Sequence, residues 1–386
     1  MIAISMNRLA GQSVFNFAVR VLGTFIAMVA SLVIWYIVDQ HIPGILVFEF
    51  IFIFCAFWIV VKRPRFIVVG IISSVSSVLI IGYELQVRKI GVVTAISNFQ
   101  AYYPIYELGP YRLATVAGGL FVAFLWTILP YPISENSELR KDLGTLTFSL
   151  AGHYAIVHET VRSRVRGDEG SSLDKNSPGR KLEKARLEIF GKEQLLIQTL
   201  KANLSFQTWQ IEVGGKFPKA IYLSLISEAE SILTWMNLIA FASKSFAVSN
   251  PSGGADEWQT DFLRLISSVR TTSEQVSSRL ALLSNSISNG TPLPPYLQPL
   301  EPFNLDDKLS TLDKEILGIN HIAQPGYAAF AVMQIASRSI VFELNKLTES
   351  VKNLVGELDF SFHFAEEVAS NASSKEDLTG KNSKND

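Results

Sequence analysis

Three ionisable residues lie within or beside long apolar runs and are the first candidates for chemistry. Glu49 is embedded in such a run, whereas Arg20 and Arg112 each precede one. Ionisable groups inside a membrane are costly to keep, so each is a functional candidate by default. A guanidinium at Arg20 or Arg112 could attract an organic anion, and Glu49 could carry a proton or pair with an ion.

The same residues also have structural interpretations. Arg20 and Arg112 are close enough to predicted helix ends to extend into the membrane interface and act as anchors. Glu49 could instead pair with a neighbouring helix. Both interpretations stay open from sequence alone.

A weak internal repeat favours a shared role for the two arginines. Thr24 precedes Trp35 by eleven residues, Thr115 precedes Trp126 by the same distance, and an arginine stands before each threonine. Internal repeats are common in transporters. A match of so few positions can also arise by chance.

Patterns for catalysis and metal binding are lacking. The five histidines are scattered, and His153 and His158 lack the four-residue spacing that places two metal ligands on one helix face. There is no phosphate-binding glycine loop and no nucleophile elbow. Cys55, the single cysteine, lies in an apolar run, which predicts a buried, inert thiol and no disulfide. We therefore expect no enzyme, no metal and no cofactor.

The composition is typical of a membrane protein. Of the 386 residues, 48% are hydrophobic and 18% are charged, and the mean hydropathy is +0.26. This is too apolar for an ordinary soluble protein. The formal net charge of -1 gives no basic excess, so no nucleic-acid partner is expected.

Four apolar stretches have the length that spans a lipid bilayer, about 17 to 25 residues. They predict four transmembrane helices at about residues 21–38, 44–61, 66–83 and 113–129. The second connection, residues 62–65, is strongly basic, whereas the first has no Lys or Arg. Because short cytoplasmic loops accumulate positive charge, both termini are expected in the cytoplasm. Arg88 and Lys89 count against this orientation.

Small residues at four-residue spacing predict close packing of two of these helices, because they let backbones approach each other. These residues are Gly23, Ala27 and Ser31 in the first helix and Ala114 and Gly118 in the fourth.

The rest of the chain has a different pattern. Residues 1–134 form the predicted transmembrane domain, and residues 135–370 show helical periods typical of a cytoplasmic bundle or coiled-coil-like domain of about five helices. Residues 371–386 are polar and predicted to be disordered. The predicted fold class is therefore all-α. Three rows of apolar residues repeat every seven positions: Phe262, Val269, Val276, Leu283; Met333, Ile340, Leu347, Leu354; and Leu182, Ile189, Leu196.

Several runs resemble the fusaric-acid-resistance-like membrane proteins, and the resemblance is dense from about residue 10 to residue 160. The broader runs are RVLGT at 20–24, YRLAT at 111–115, GG at 118–119 and PYP at 130–132. The narrower runs are GYELQVRKIG at 82–91, YYPIY at 102–106 and LRKDLG at 139–144. These look like the C-terminal half of fungal transporters in the aromatic acid exporter superfamily.

The resemblance implies export of aromatic or other organic acids. Members of that superfamily look longer, with an N-terminal membrane half and six helices in each half, of which this chain would carry the last four. We therefore expect either a homo-oligomer or a missing N-terminal membrane half as partner. The endoplasmic reticulum and the plasma membrane are both possible locations.

Two hypotheses of function compete. In the first, the chain is half of a transporter, and Arg20, Glu49 and Arg112 line the path of an organic anion. In the second, it is a membrane-tethered scaffold whose cytoplasmic helical domain binds partners. The two differ in whether the membrane helices take part in the activity or only anchor it.

Overall fold

The computed structural model is all-helical apart from an isolated bridge between Leu293 and Glu357. It describes residues 10–39, 41–97, 102–128, 135–166, 169–170, 176–209, 217–245, 274–302 and 325–358. The predicted disordered tail lies outside these ranges. The chain divides into two units, Met1–Arg140 with Gln198–Lys219, and Lys141–Ile197 with Ala220–Asp386.

Among the described residues of the first unit, four helices are long and apolar enough to cross a membrane. They are α1 (Ala10–Ile37), α2 (Ile42–Lys62), α3 (Ile67–Ile90) and α5 (Ile105–Ile128), and a short α4 (Val92–Ser97) precedes the last of them. The four predicted membrane helices are confirmed. The protein is an integral, multi-pass membrane protein.

Two of these helices begin earlier than their apolar runs predicted. The first turns of α1 mix polar and apolar residues, so the apolar criterion detected the helix only from residue 21. The predicted start of α5 was too late because Pro110 was expected to precede the helix, whereas it lies inside it. Proline is tolerated in membrane helices where neighbouring groups satisfy the freed backbone carbonyl.

Helix α1 is central in this unit, because it packs against both α3 and α5. Gly23, Ala27 and Ser31 are all buried, so the small-residue row of α1 faces protein. A Cβ atom at Gly23 would lie 3.2 Å from the carbonyl oxygen of Val69 and 3.4 Å from Cβ of Ile72. The missing side chain at Gly23 therefore permits the close approach of α1 and α3.

Helix α3 ends at a glycine. Gly91 has a φ of 91°, a backbone conformation that residues with a side chain rarely adopt. Its N–H donates to the carbonyl of Val87 at 2.8 Å. The break between α3 and α4 follows from this backbone conformation.

The second unit is built from helices that bury apolar faces against one another. Its elements are most of α6 (Glu135–Arg166), the first part of α7 (Pro178–Phe206), α8 (Lys219–Ala242), α9 (described over residues 274–289) and α10 (Pro325–Val355). Fully buried side chains from the predicted rows include Val276, Leu283, Ile340 and Leu347. The predicted positions Phe262 and Val269 lie outside the described residues.

The seven-residue row in α10 is no longer fully buried at its last predicted member, Leu354. Leu354 is only half-buried and Leu358 is exposed, because the helix stops at Val355 and Gly356 takes a φ of 82°. The N–H of Leu358 instead donates to the carbonyl of Leu293 at 2.9 Å.

Helix α7 does not fully bury the face that its apolar residues predicted. The predicted row of Leu182, Ile189 and Leu196 is only half-buried, whereas Arg186 and Glu193 are buried. Nδ1 of His153 on α6 lies 2.6 Å from Oε2 of Glu193. The buried face of α7 is thus partly polar, and hydrophobic periodicity cannot detect such a face.

Candidate functional site

The membrane unit contains a cavity of about 710 Å³ between α1, α3 and α5, here called the arginine cavity. Arg20 and Thr24 reach it from α1, and Arg112 and Thr115 reach it from α5. Ser76 adds a hydroxyl group from α3. The structure therefore brings together the arginines and the threonines of both halves of the predicted repeat.

The packing of α1 on α5 positions the two arginines. Phe17 of α1 meets Phe124 of α5 edge-on, with ring centroids 6.2 Å apart, and Leu120 and Ala123 complete this apolar contact. Because Phe17 lies near the start of α1 and Phe124 near the end of α5, the two helices are antiparallel. Arg20 stands about one turn beyond Phe17 on α1, beside the middle of α5.

The two threonines share one local conformation. Oγ1 of Thr24 donates to the carbonyl of Arg20 at 3.0 Å, and Oγ1 of Thr115 donates to the carbonyl of Tyr111 at 2.7 Å. Each hydroxyl thus bonds one turn back along its own helix. The repeat does not extend to the tryptophans, because Trp35 is buried while Trp126 is exposed.

The charge in the cavity is uncompensated at Arg112. Its Nε is buried without a hydrogen-bond partner, and no salt bridge to Arg112 occurs within the described ranges. The described residues that line the cavity include no Asp or Glu. A half-buried guanidinium without an acidic neighbour attracts an anionic ligand more strongly than one exposed to water.

Two tyrosines give the cavity an aromatic wall. The ring centroids of Tyr103 and Tyr111 lie 4.7 Å apart at an interplanar angle of 43°, and both side chains line the cavity. Tyrosine offers an apolar ring face together with a hydroxyl group. Sequence reasoning missed both residues as site residues, although each lies in a run that carries the family resemblance.

Glu49 lies apart from the arginines. It does not line the arginine cavity; its side chain is buried between α2 and α3, where Oγ of Ser77 donates to Oε2 at 3.0 Å. Its Oε1 has no hydrogen-bond partner in the described part of the chain. The three candidates predicted to line one path are therefore separated, and the contact of Glu49 is one with a neighbouring helix.

The small-residue row of α5 and the single cysteine lie in environments that differ from those expected. Ala114 and Gly118 on α5 are exposed, and no described atom beyond the neighbouring backbone of α5 lies within 4 Å of the position where Gly118 would carry a Cβ, so this row packs against no described helix. The expectation that Cys55 is buried is wrong, since it is exposed on α2. In both cases an apolar run covers a whole helix and does not indicate which face meets protein.

Comparison with known proteins gives two adjoining matches. Residues 1–126 match the sequence model for fusaric acid resistance protein-like domains, and residues 134–359 match that for Brefeldin A-sensitivity protein 4-like domains.

An uncharacterised protein of Schizosaccharomyces pombe is 22% identical to this chain over 398 aligned residues. The alignment covers 94% of the chain but only 27% of that relative. The chain therefore belongs to the family of proteins with a Brefeldin A-sensitivity protein 4-like domain, which matches more than half of its residues, and this domain follows a fusaric acid resistance protein-like domain.

Proposed function

We propose that the membrane unit binds an organic anion in the arginine cavity and carries it across the bilayer as part of an exporter of aromatic or other organic acids. One observation carries this proposal. Arg20 and Arg112, which lie far apart in the sequence, line the same cavity. The match of residues 1–126 to fusaric acid resistance protein-like domains supports it.

The chemistry of the cavity suits an aromatic carboxylate. A guanidinium binds a carboxylate through two parallel N–H···O hydrogen bonds, and Tyr103 and Tyr111 offer ring faces for an aromatic group. The volume of about 710 Å³ falls within the range of about 300 to 1,000 Å³ that is usual for small-molecule sites.

The proposed transporter includes further membrane helices besides α1, α2, α3 and α5. The chain spans about a quarter of the length of its Schizosaccharomyces pombe relative, so we propose that a second copy or an N-terminal membrane half completes the path. The exposed small residues Ala114 and Gly118 would let another helix approach α5 closely. The basic connection at residues 62–65 supports cytoplasmic termini, in the endoplasmic reticulum or the plasma membrane.

Binding of benzoate tests the proposal directly. Equilibrium dialysis of the purified chain in mild detergent should show saturable binding of benzoate and little binding of benzamide, which has the same ring but no charge. Equal binding of the two ligands would contradict an anion site. Absence of binding by either would remove the support that the cavity gives to transport.

Replacement of Glu49 by Gln tests whether that residue belongs to the same site. Gln retains an oxygen that accepts from Ser77, and Glu49 lies outside the cavity lining. We expect thermal stability to be retained and the dissociation constant for benzoate to change less than about twofold, since no contact to the ligand is removed. A large loss of affinity would instead place Glu49 in the anion path.

The alternative function is a membrane-tethered scaffold. Ile335 and Phe342 favour it, because they lie seven residues apart on α10 and are 62% and 60% exposed. Such side chains can contact a partner protein. If this hypothesis holds, deletion of residues 178–360 abolishes the cellular role, whereas replacement of Arg20 by Gln has no effect.

A further inference from the structure

A second hollow lies on the membrane unit, separate from the arginine cavity. This outer crevice has a volume of about 240 Å³ and lies between α1, α2 and α3. It shares no lining residue with the arginine cavity. Leu22 of α1 and Ile59 of α2 line it and are 47% and 56% exposed. The outer crevice is therefore open to the hydrocarbon of the bilayer.

The outer crevice offers apolar contacts almost throughout. Ser73 is its polar lining residue apart from the thiol of Cys55, and Oγ of Ser73 donates to the carbonyl of Gly70 at 3.1 Å. The hydroxyl therefore has its hydrogen bond within α3. A narrow apolar crevice facing lipid fits a hydrocarbon chain better than a polar ligand.

One end of the outer crevice adjoins the basic connection, residues 62–65. Ile59 and Val60 line the crevice just before this connection, and Phe66 lines it directly after. Lys62, Arg63 and Arg65 are exposed. Positive charge is thus placed at the rim of an apolar crevice.

Two of these cations lie over aromatic rings. Nζ of Lys62 lies 5.1 Å from the ring centroid of Trp58, and Cζ of Arg65 lies 4.9 Å from that of Phe15. Within the described ranges no carboxylate forms a salt bridge with Lys62, Arg63 or Arg65. The rim therefore keeps its positive charge for a ligand.

We infer that the outer crevice and the basic connection together bind an anionic phospholipid, with an acyl chain in the crevice and the negative headgroup at Lys62 and Arg63. A zwitterionic lipid offers the same acyl chains but no net negative charge. The preference should therefore come from the headgroup, at roughly fivefold for each basic residue near the membrane surface. The inference does not depend on the proposed function, because the two sites share no residue.

Native mass spectrometry of the full chain tests the preference. The chain is released from nanodiscs that contain equal amounts of phosphatidylserine and phosphatidylcholine with identical acyl chains. We expect retained phosphatidylserine to exceed retained phosphatidylcholine by roughly tenfold or more, from two cations. Equal retention of the two lipids would overturn the inference.

Charge variants locate the headgroup contact. The double variant Lys62→Gln, Arg63→Gln should bring the two lipids close to equal retention, and both positions are exposed, so folding should be kept. Arg65 is left in place because it also packs on Phe206. The matched control Arg88→Gln, Lys89→Gln removes two cations from the other end of α3 and should leave the preference unchanged. A preference that survives the first variant, or that the control removes, would overturn the assignment.

A crevice variant locates the acyl chain. Cys55→Phe should fill the outer crevice and reduce retention of phosphatidylserine at least fivefold, whereas Cys55→Ser should have no effect. Full retention by Cys55→Phe would overturn the placement of the acyl chain, and displacement of the lipid by soluble glycerophosphoserine would show that the headgroup alone is bound. Since Lys62 and Arg63 are exposed, their variant still decides the question if Cys55→Phe fails to fold.

Discussion

Replacement of Arg112 by Gln should weaken benzoate binding by roughly tenfold or more, since a hydrogen bond to a charged group contributes about 1.5 to 3 kcal/mol. Gln keeps a polar but shorter side chain and removes the charge and the two-pronged donor geometry. Replacement of Arg20 and Arg112 together should abolish saturable binding, because both guanidinium groups line the arginine cavity. Equilibrium dialysis with labelled benzoate measures both effects.

Two control variants separate charge from geometry. Arg88→Gln removes an exposed cation that does not line the cavity, and it should leave the dissociation constant unchanged. Arg112→Lys keeps the charge but not the planar fork, so its affinity should lie between those of the wild type and Arg112→Gln. If the double variant of Arg20 and Arg112 binds benzoate as the wild type does, the cavity is not the anion site.

The structure brings the two candidate arginines to one cavity but leaves the candidate carboxylate elsewhere. An arginine before a threonine occurs in two membrane helices, and antiparallel packing of α1 and α5 brings the two pairs to one cavity. Glu49 was chosen as a candidate by the same rule, that ionisable groups in membranes are costly. Its side chain, however, contacts Ser77 on another face of α3. The cost of burying a charge indicates that a partner exists, but it does not indicate which helix supplies it.

Helix faces were harder to predict than helix positions. An apolar run identifies a membrane helix, but both its lipid-facing and its protein-facing sides are apolar, so Cys55, Ala114 and Gly118 could not be assigned to a face. In α7 the difficulty was the opposite one. Arg186 and Glu193 are buried, and their polar side chains conceal the buried face from a search for hydrophobic periodicity.

A buried arginine joins three helices of the second unit. Arg164 on α6 is 4% exposed, and its Nη1 donates to the carbonyl of Ala240 at 2.8 Å and to Oγ of Ser243 at 2.7 Å. Its Nε donates to Glu169 at 3.0 Å, and its Nη2 lies 3.5 Å from Glu183 on α7. Arg164 thus supplies a second donor to the carbonyl of Ala240 at the end of α8, which also accepts from Oγ of Ser243 at 2.9 Å.

Replacement of Arg164 by Ala should therefore destabilise the second unit by about 1.5 to 3 kcal/mol, the usual contribution of a hydrogen bond to a charged group. The change removes the donor that Arg164 supplies to Glu169 and one of the two donors to the carbonyl of Ala240. Urea unfolding of the full chain in mild detergent, followed by circular dichroism, measures the free energy. Lys192→Ala is the matched control, because Lys192 forms an exposed pair with Glu188 at 2.8 Å, and water screens such a pair so that it contributes little to stability.

The pH dependence of the same unfolding experiment distinguishes an ion-pair network from packing alone. The pKa of Glu183 is lowered, first by the hydrogen bond from Arg186, against the opposing effect of burial, and further by nearby cations including Arg164. A lowered pKa in the folded state gives stability that is present above the unfolded pKa and lost as the pH falls through the folded value. The difference between wild type and Arg164→Ala should therefore be constant near neutral pH and shrink below about pH 4.3, where free glutamate is protonated. If the free energies of unfolding of wild type and Arg164→Ala differ by less than about 1 kcal/mol at neutral pH, Arg164 does not stabilise the packing of these helices more than an exposed ion pair would.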